Sequence, residues 1–388
     1  MSKHLKGKVG FTTYYQSYFS DLSEMDSLLS TKNKPILLFQ PHNETHINQL
    51  WNDNNIIFTK LEWFPTALLW PENIPLGTKL PGFDDGLIYP MNASSLLSVI
   101  VLDPKPGELI LDACAAPGGK SLAIRSIISA KPENTNIVTE QSLSEDTHTA
   151  VNNTPANNIS VFCEQGEGIE SENIHILTAS EDTAYAVSDV PNHIATSTTH
   201  EQVGSIEDAL PVSTLFANDK SPDRSKRMKE VFNHAHIPNT VVTSRPAETI
   251  FKTHPNTFDT ILLDAPCSSE KHVWQDNKEL NNWSESRVKR LAQQQYMLIA
   301  SLLLALRPRG RLVYSTCALN TEENEFVVDR ILKNKSDLTT LIDTDWSNLP
   351  GEPGVSGDYS FDKCNVRRII PSKDSNYDPM FVAVFERV

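Results

Sequence analysis

The 388-residue sequence predicts an α/β fold, a parallel sheet covered by helices on both faces and preceded by a small α+β lobe. Three observations carry this expectation. Beyond Asp103, short apolar runs alternate with stretches of helical period, a glycine-rich turn joins the first run to the first helix, and the residues before Asp103 read as a separate β-α-β unit.

In order, PILLFQ (35–40), the helix-like NETHINQLWND (43–53) and IIFTKLEWF (56–64) make up the lobe, and the proline-rich tract Pro65–Pro90 is its expected connection. ELILD (108–112) is the first strand of the larger domain, and SLAIRSIIS (121–129) is its first helix. Then follow a strand at STLFA (213–217), a helix at PDRSKRMKEVFNHA (222–235), and strands at TVVTS (240–244) and TILLD (260–264). A long helix over about 284–306, a strand at RLVYS (311–315), a helix at TEENEFVVDRIL (321–332) and a last strand at Met380–Phe385 complete the pattern. The expected domains are an accessory lobe at 1–85 and a catalytic domain at 86–388, interrupted at about 131–212.

That interruption differs in composition. Between Lys131 and Leu215 stand fourteen acids and one base, so nearly all of the net charge of −15 sits there and the remainder is almost neutral. The window is rich in Ser, Thr, Asn and Glu, which reads as an inserted acidic loop; its apolar pieces NISVF, HILTA and TAYAV can pair as hairpins, and both a disordered and a loosely folded flap remain open. Because the acids are confined, the total charge does not exclude an RNA-facing patch elsewhere. Lys220, Arg224, Lys226, Arg227 and Lys229 crowd one helix start, and Arg287, Lys289 and Arg290 another, as a phosphate-binding patch or as ordinary solvated faces.

With 39% apolar and 21% charged residues, the chain is globular in composition, and no run approaches the roughly 20 apolar residues of a membrane span. The basic start MSKHLKGKV lacks a following apolar stretch, so no secretory leader is expected. Five widely spaced cysteines fit neither a disulfide framework nor a paired zinc pattern, which leaves room for chemically active thiols.

The first motif is LDACAAPGGKS (111–121). Asp112 ends a strand, and Gly118 and Gly119 open a helix, an arrangement that lets backbone N–H groups approach a nucleotide or a carboxylate, although a plain glycine turn reads the same way. At the next strand end, Asp219 in FANDKSPDR is placed either to accept ribose hydroxyls or to cap the following helix. The second constellation is Asp264-Ala265-Pro266-Cys267 after one strand and Ser315-Thr316-Cys317 after another, which should bring two thiols and a carboxylate to one rim. One such cysteine is usually a buried structural residue. Two at strand exits suit pyrimidine chemistry: a thiolate adds at carbon 6 to activate carbon 5, and a second thiol assists release, while Asp264 can hold the ring.

LDACAAPGGKS, FANDKSPDR, FDTILLDAPCSS, RLAQQQYMLIASLLLALRPRGRLVYSTC and ALNTEENEFVV together resemble the S-adenosylmethionine-dependent RNA cytosine-5 methyltransferases, the NOL1/NOP2/Sun (Fmu) family. The resemblance runs in order from about Gly86 to the last residues, and CSSEKH after Pro266 is closer to the branch with mitochondrial rRNA and tRNA members. It implies a Rossmann-like methyltransferase sheet and an S-adenosyl-L-methionine cofactor held by Cys114, Ala115, Ala116, Pro117, Gly118, Gly119, Lys120, Asp219, Arg224 and Asp264. It further implies that Cys317 is the nucleophile, that Cys267 assists release, and that Asp264 and Lys120 lie at the reacting centre, with no metal. The expected partner is RNA, rRNA before tRNA, for a cytoplasmic or mitochondrial monomer that needs no membrane; a targeting protein stays open. Departures are Pro246 where the family offers an acid near the adenine, Thr321 in place of a proline, and Pro379-Met380-Phe381 for Gly-Phe-Phe. The rivals are a tRNA methyltransferase, a non-catalytic RNA-binding assembly factor, and a DNA cytosine methyltransferase, in which the Thr-Cys thiol would have no task.

Overall fold

The computed structural model describes residues 5–130, 159–163, 174–178, 185–187, 213–372 and 376–388. Helices α1 (Gly7–Tyr15) and α2 (Leu22–Ser30) come first. The lobe sheet follows, built from β1 (Ile36–Phe39), α3 (Glu44–Asp53), β2 (Lys60–Leu61), β3 (Phe64–Leu69) and β4 (Ile88–Met91), in the order β2-β3-β1-β4 and antiparallel. Two strands therefore fall within or across the tract expected to be a connection. Its prolines mislead because Pro65 lies outside the β1–β3 register and Pro90 is on the edge strand β4, where a missing N–H is tolerated. The stretch 56–59 ahead of β2, expected as strand, is irregular.

The larger sheet begins after α4 (Ser95–Leu102) with β5 (Leu109–Asp112) and α5 (Gly119–Ala130). Three strands of the acidic window are described, β6 (Ile159–Cys163), β7 (Ile174–Thr178) and β8 (Tyr185–Val187). Next come β9 (Thr214–Asn218), α6 (Pro222–His234), β10 (Thr240–Thr243), β11 (Phe258–Asp264), α7 (Glu270–Gln275), α8 (Asn277–Asn282), α9 (Glu285–Ala305) and β12 (Leu306–Thr316). The last elements are α10 (Glu325–Asn334), β13 (Thr339–Leu341), β14 (Glu352–Pro353), β15 (Val366–Ile369) and β16 (Met380–Arg387).

Strands run in the order β14-β15-β16-β12-β11-β5-β9-β10-β6-β7-β8, with β13 also on β16. From β12 to β10 every neighbour is parallel, whereas β16 and the strands beyond it are antiparallel. The expectation of a parallel sheet thus holds for its centre, and the last strand departs from it by returning as an antiparallel partner of β12. NISVF, HILTA and TAYAV pair with one another, and β6 also adds in parallel to β10, so part of the window extends the sheet.

Both faces of the sheet are covered. Ile110, Leu215, Leu262 and Val313 pack under α4 and α5 on one face, and Leu111, Ile261, Leu312 and Phe381 pack under α9 and α10 on the other. The apolar run is continuous along β11, as a strand buried on both sides requires. Phe11, Tyr15, Met25 and Leu29 of α1 and α2 pack on Val273, Leu280, Trp283 and Val288 of α7 to α9. The first two helices are therefore tied to the elements that follow β11, where the Pro-Cys loop begins.

Candidate active site

The carboxyl ends of β5, β9, β11 and β12 open on a cavity of about 400 Å³, within the size range of small-molecule sites. Cys114, Ala116, Lys120, Asp219, Arg224, Asp264, Cys267 and Cys317 all reach it. A second cavity of about 250 Å³ is bordered by Cys114, Ala115, Ala116, Pro117, Gly119, Lys120 and Asp264. Gly118 reaches neither. It has φ +115°, and a Cβ there would stand 2.8 Å from the Phe232 ring of α6, while one on Gly119 would stand 3.0 Å from Tyr89. These glycines serve the close packing of the turn against its neighbours, besides any approach to a ligand.

Asp264 ends β11. One carboxylate oxygen accepts from Lys120 Nζ at 2.7 Å and the other from Ser315 Oγ at 3.0 Å. Burial pulls the Lys120 ammonium down, but Asp264 outweighs it and the group lies above its ordinary value. The two thiols lie one strand apart, with Cys267 Sγ 3.1 Å from Cys317 Sγ and Ser269 Oγ 3.1 Å from Cys317 Sγ. The hydrogen bond to Cys317, with burial, pushes the Cys267 thiol well up, so Cys267 keeps its proton beside the other sulfur. Both cysteines are free.

At the other end of the cavity Asp219 is buried; it accepts from the Ser221 N–H at 2.9 Å and pairs with Arg224 at 2.9 Å, and Arg224 also donates to the Ala116 carbonyl at 2.6 Å. Ser221, rather than Asp219, caps α6. Beyond Pro246, Ala247 and Glu248 border the cavity, so an acid does stand in this loop two residues after the proline. Sequence reasoning missed Glu248. It also missed Ser269, which touches the Cys317 thiol, and Asn92 and Asp378, which face each other across the rim and bond directly, and it gave Ser315 no contact with Asp264. Asp378 could not have been found from spacing, since its partners Asn33, Asn92 and Lys271 are scattered along the chain.

The basic clusters are only partly free of local partners. Arg224 belongs to the cavity wall, Arg287 pairs with Glu279 at 2.8 Å, and Lys289 pairs with Glu285 at 2.7 Å. Lys220, Lys226, Arg227 and Arg290 are exposed.

A family profile described as 16S rRNA methyltransferase RsmB/F matches residues 205–386. The ribosomal RNA small subunit methyltransferase F of Erwinia tasmaniensis is 42% identical over 123 residues, which are 32% of this chain and 26% of that protein. That of Escherichia coli O139:H28 is 43% identical over 113 residues, 29% of this chain and 24% of its own length. The match thus spans about a quarter of these curated relatives, and they are bacterial, whereas CSSEKH led us to expect the mitochondrial branch. Among solved structures, NSun6 from Pyrococcus horikoshii with SFG superposes with a TM-score of 0.64 at 16% identity, over 97% of each chain. A methyltransferase homologue from the same organism gives 0.63 at 21% identity, over 97% of this chain and 93% of that one. These two show the fold, which is the Rossmann-like methyltransferase sheet. The profile match takes in both cysteine motifs, so residues 205–386 of this chain are similar to the RsmB/F methyltransferases.

Proposed function

We propose that this protein is an S-adenosylmethionine-dependent RNA cytosine-5 methyltransferase that acts on rRNA through a covalent adduct between Cys317 and pyrimidine carbon 6. One observation carries the reading: two free thiols 3.1 Å apart stand beside the Lys120–Asp264 pair at the carboxyl rim of adjacent strands. The cavity fits the cofactor in size and donor set, since a buried carboxylate, Asp219, stands at one end and the thiols at the other. Asp219 would hold the ribose hydroxyls, Arg224 would keep that carboxylate in place, and the 114–120 turn would lie along the rest of the molecule. When bound, S-adenosylmethionine supplies an electrophilic methyl group to carbon 5.

The side chains divide the remaining work. Cys317 adds its sulfur to carbon 6, which makes carbon 5 nucleophilic. Asp264 accepts from the exocyclic amine, and Lys120 keeps the carboxylate oriented. After methylation the proton on carbon 5 passes to water, its electron pair re-forms the double bond between carbons 5 and 6, and the bond from carbon 6 to Cys317 breaks to return the thiolate. Cys267, already hydrogen-bonded to that sulfur, is placed to assist this second step. Sequence names of the relatives favour rRNA as the substrate, and the exposed Lys220, Lys226 and Arg227 supply a phosphate-facing surface near the cavity.

The test separates the thiols. Cys317→Ala should abolish 5-methylcytosine formation on rRNA, measured by bisulfite sequencing, and covalent trapping on 5-azacytidine RNA. Cys267→Ala should lose turnover and accumulate a protein–RNA adduct on denaturing gels. Identical behaviour of the two variants would refute the assignment.

A further inference from the structure

Behind the two thiols lies a buried polar cluster that the reaction itself does not use. Glu270, three residues after Cys267, accepts the backbone N–H of Leu319 at 3.0 Å, two residues after Cys317. Glu323, six residues after Cys317, accepts the backbone N–H of Ser268 at 2.9 Å, next to Cys267. Each cysteine loop thus carries a carboxylate that grips the backbone of the other. The side-chain amide nitrogen of Asn320 stands 2.8 Å from an oxygen of each carboxylate, and its two hydrogens suffice for one bond to each. Gln295 from α9 donates to Glu323 at 2.9 Å and to the Pro266 carbonyl at 2.9 Å, while Tyr15 from α1 donates to Glu270 at 2.6 Å. Glu270, Glu323, Asn320, Gln295 and Tyr15 are all fully buried.

We propose that Glu270 and Glu323 are positioning residues, a crossed clamp that sets the separation of the Cys267 and Cys317 thiols. The physical reason is that the two loops leave adjacent parallel strands and each carboxylate ties its own loop directly to the backbone of the other. A buried carboxylate without its donors is costly, so neither loop can move without breaking bonds in both. None of the donors named for either carboxylate is a lysine or arginine. Burial and the neighbouring Glu270 push the Glu323 carboxyl up to about 7. Its role in turnover rests on the two-thiol reading above.

The test needs neither RNA nor cofactor. The full-length protein is equilibrated with reduced and oxidised glutathione, and the Cys267–Cys317 linked peptide is quantified by mass spectrometry to give the effective concentration of one thiol at the other. In this exchange the oxidised glutathione is reduced to two thiols as the protein disulfide forms. Glu270→Ala and Glu323→Ala should each lower the effective concentration at least tenfold, with the double variant little worse than either single one. Glu323→Gln keeps the volume and an acceptor for Ser268 but sets an N–H₂ group against Asn320, so a smaller fall is expected, and this variant serves if the alanine forms do not fold. Ser126→Ala, which removes the distant Thr66–Ser126 bond of 2.8 Å, controls for general loosening. An effective concentration that stays at the wild-type level in folded Glu323→Gln and Glu270→Ala, or that falls equally in Ser126→Ala, overturns the clamp and leaves the methyltransferase reading standing. A thiol pair that responds as expected in a protein unable to form 5-methylcytosine would sink only that reading.

Discussion

Asp112 has the least accommodated carboxyl of the site. It is fully buried, Oδ2 accepts from Ser121 at 2.8 Å, and Oδ1 has no hydrogen-bond partner. Burial raises its pKa to about 7, Asp264 adds to the shift, and Ser121 and Lys120 oppose it. The folded state therefore binds this proton more tightly than the unfolded chain, whose carboxyl titrates near ~4. The stabilisation is fully present below that unfolded value and is lost as pH rises through about 7. Asp112→Asn has no such charge to desolvate, so its stability relative to wild type should improve between pH 4.5 and 7.5, by on the order of a few kcal/mol at most. Denaturant melts at the two pH values check this, and a difference independent of pH would mean that Asp112 stays ionised. The site residues legible from the sequence were those with a position-specific chemistry, such as Cys267, Cys317 and Asp264 at strand ends. Ser269, Glu270 and Glu323 were not, because their meaning comes from partners on other loops; Tyr15 lies 255 positions from Glu270. No periodicity records a contact of that separation.

At the level of elements, the strands and helices of the sheet were legible because their burial follows simple periods, and the long helix predicted over 284–306 is α9 at Glu285–Ala305. What the sequence hid was the reason for particular small residues. Gly118 reads as a ligand-facing glycine, yet its missing side chain is what admits Phe232 of α6 to the turn before α5. Gly118→Ala meets two costs, a φ of +115° that L-residues rarely adopt and a ring at 2.8 Å that is buried and cannot swing away. A loss of about 2 to 4 kcal/mol is expected in chemical denaturation. In a Phe232→Leu background the steric part should shrink while the backbone part remains. A Gly118→Ala cost equal in both backgrounds would show that Phe232 does not confine the turn.

For the whole molecule the question is how much of the acidic window the fold needs. Residues 131–158, 164–173, 179–184 and 188–212 lie outside the described structure, as does most of the charge expected there. The described strands β6 to β8 add to the free side of β10, whose other side is already paired with β9 over Thr240–Thr243. Removing them moves the sheet edge inward by three strands and takes none of the cavity residues. The two ends to be rejoined are also close, because Arg125 in α5 donates to the Ser213 carbonyl at the start of β9 at 3.1 Å. That bond belongs to the usual βαβ crossover, in which α5 returns directly to the next parallel strand. Replacing residues 131–212 by a short Gly/Ser linker should therefore leave S-adenosylmethionine binding by calorimetry within a few-fold of wild type and preserve a cooperative melt. It should also keep or raise RNA affinity, since a strongly acidic segment near a phosphate backbone can only repel it, and charges farther than about 8 Å are screened at physiological salt. Loss of a cooperative melt would show that β6 is an integral strand of the sheet and that the window is part of the core. A lower RNA affinity with folding intact would show instead that the window itself contacts the RNA.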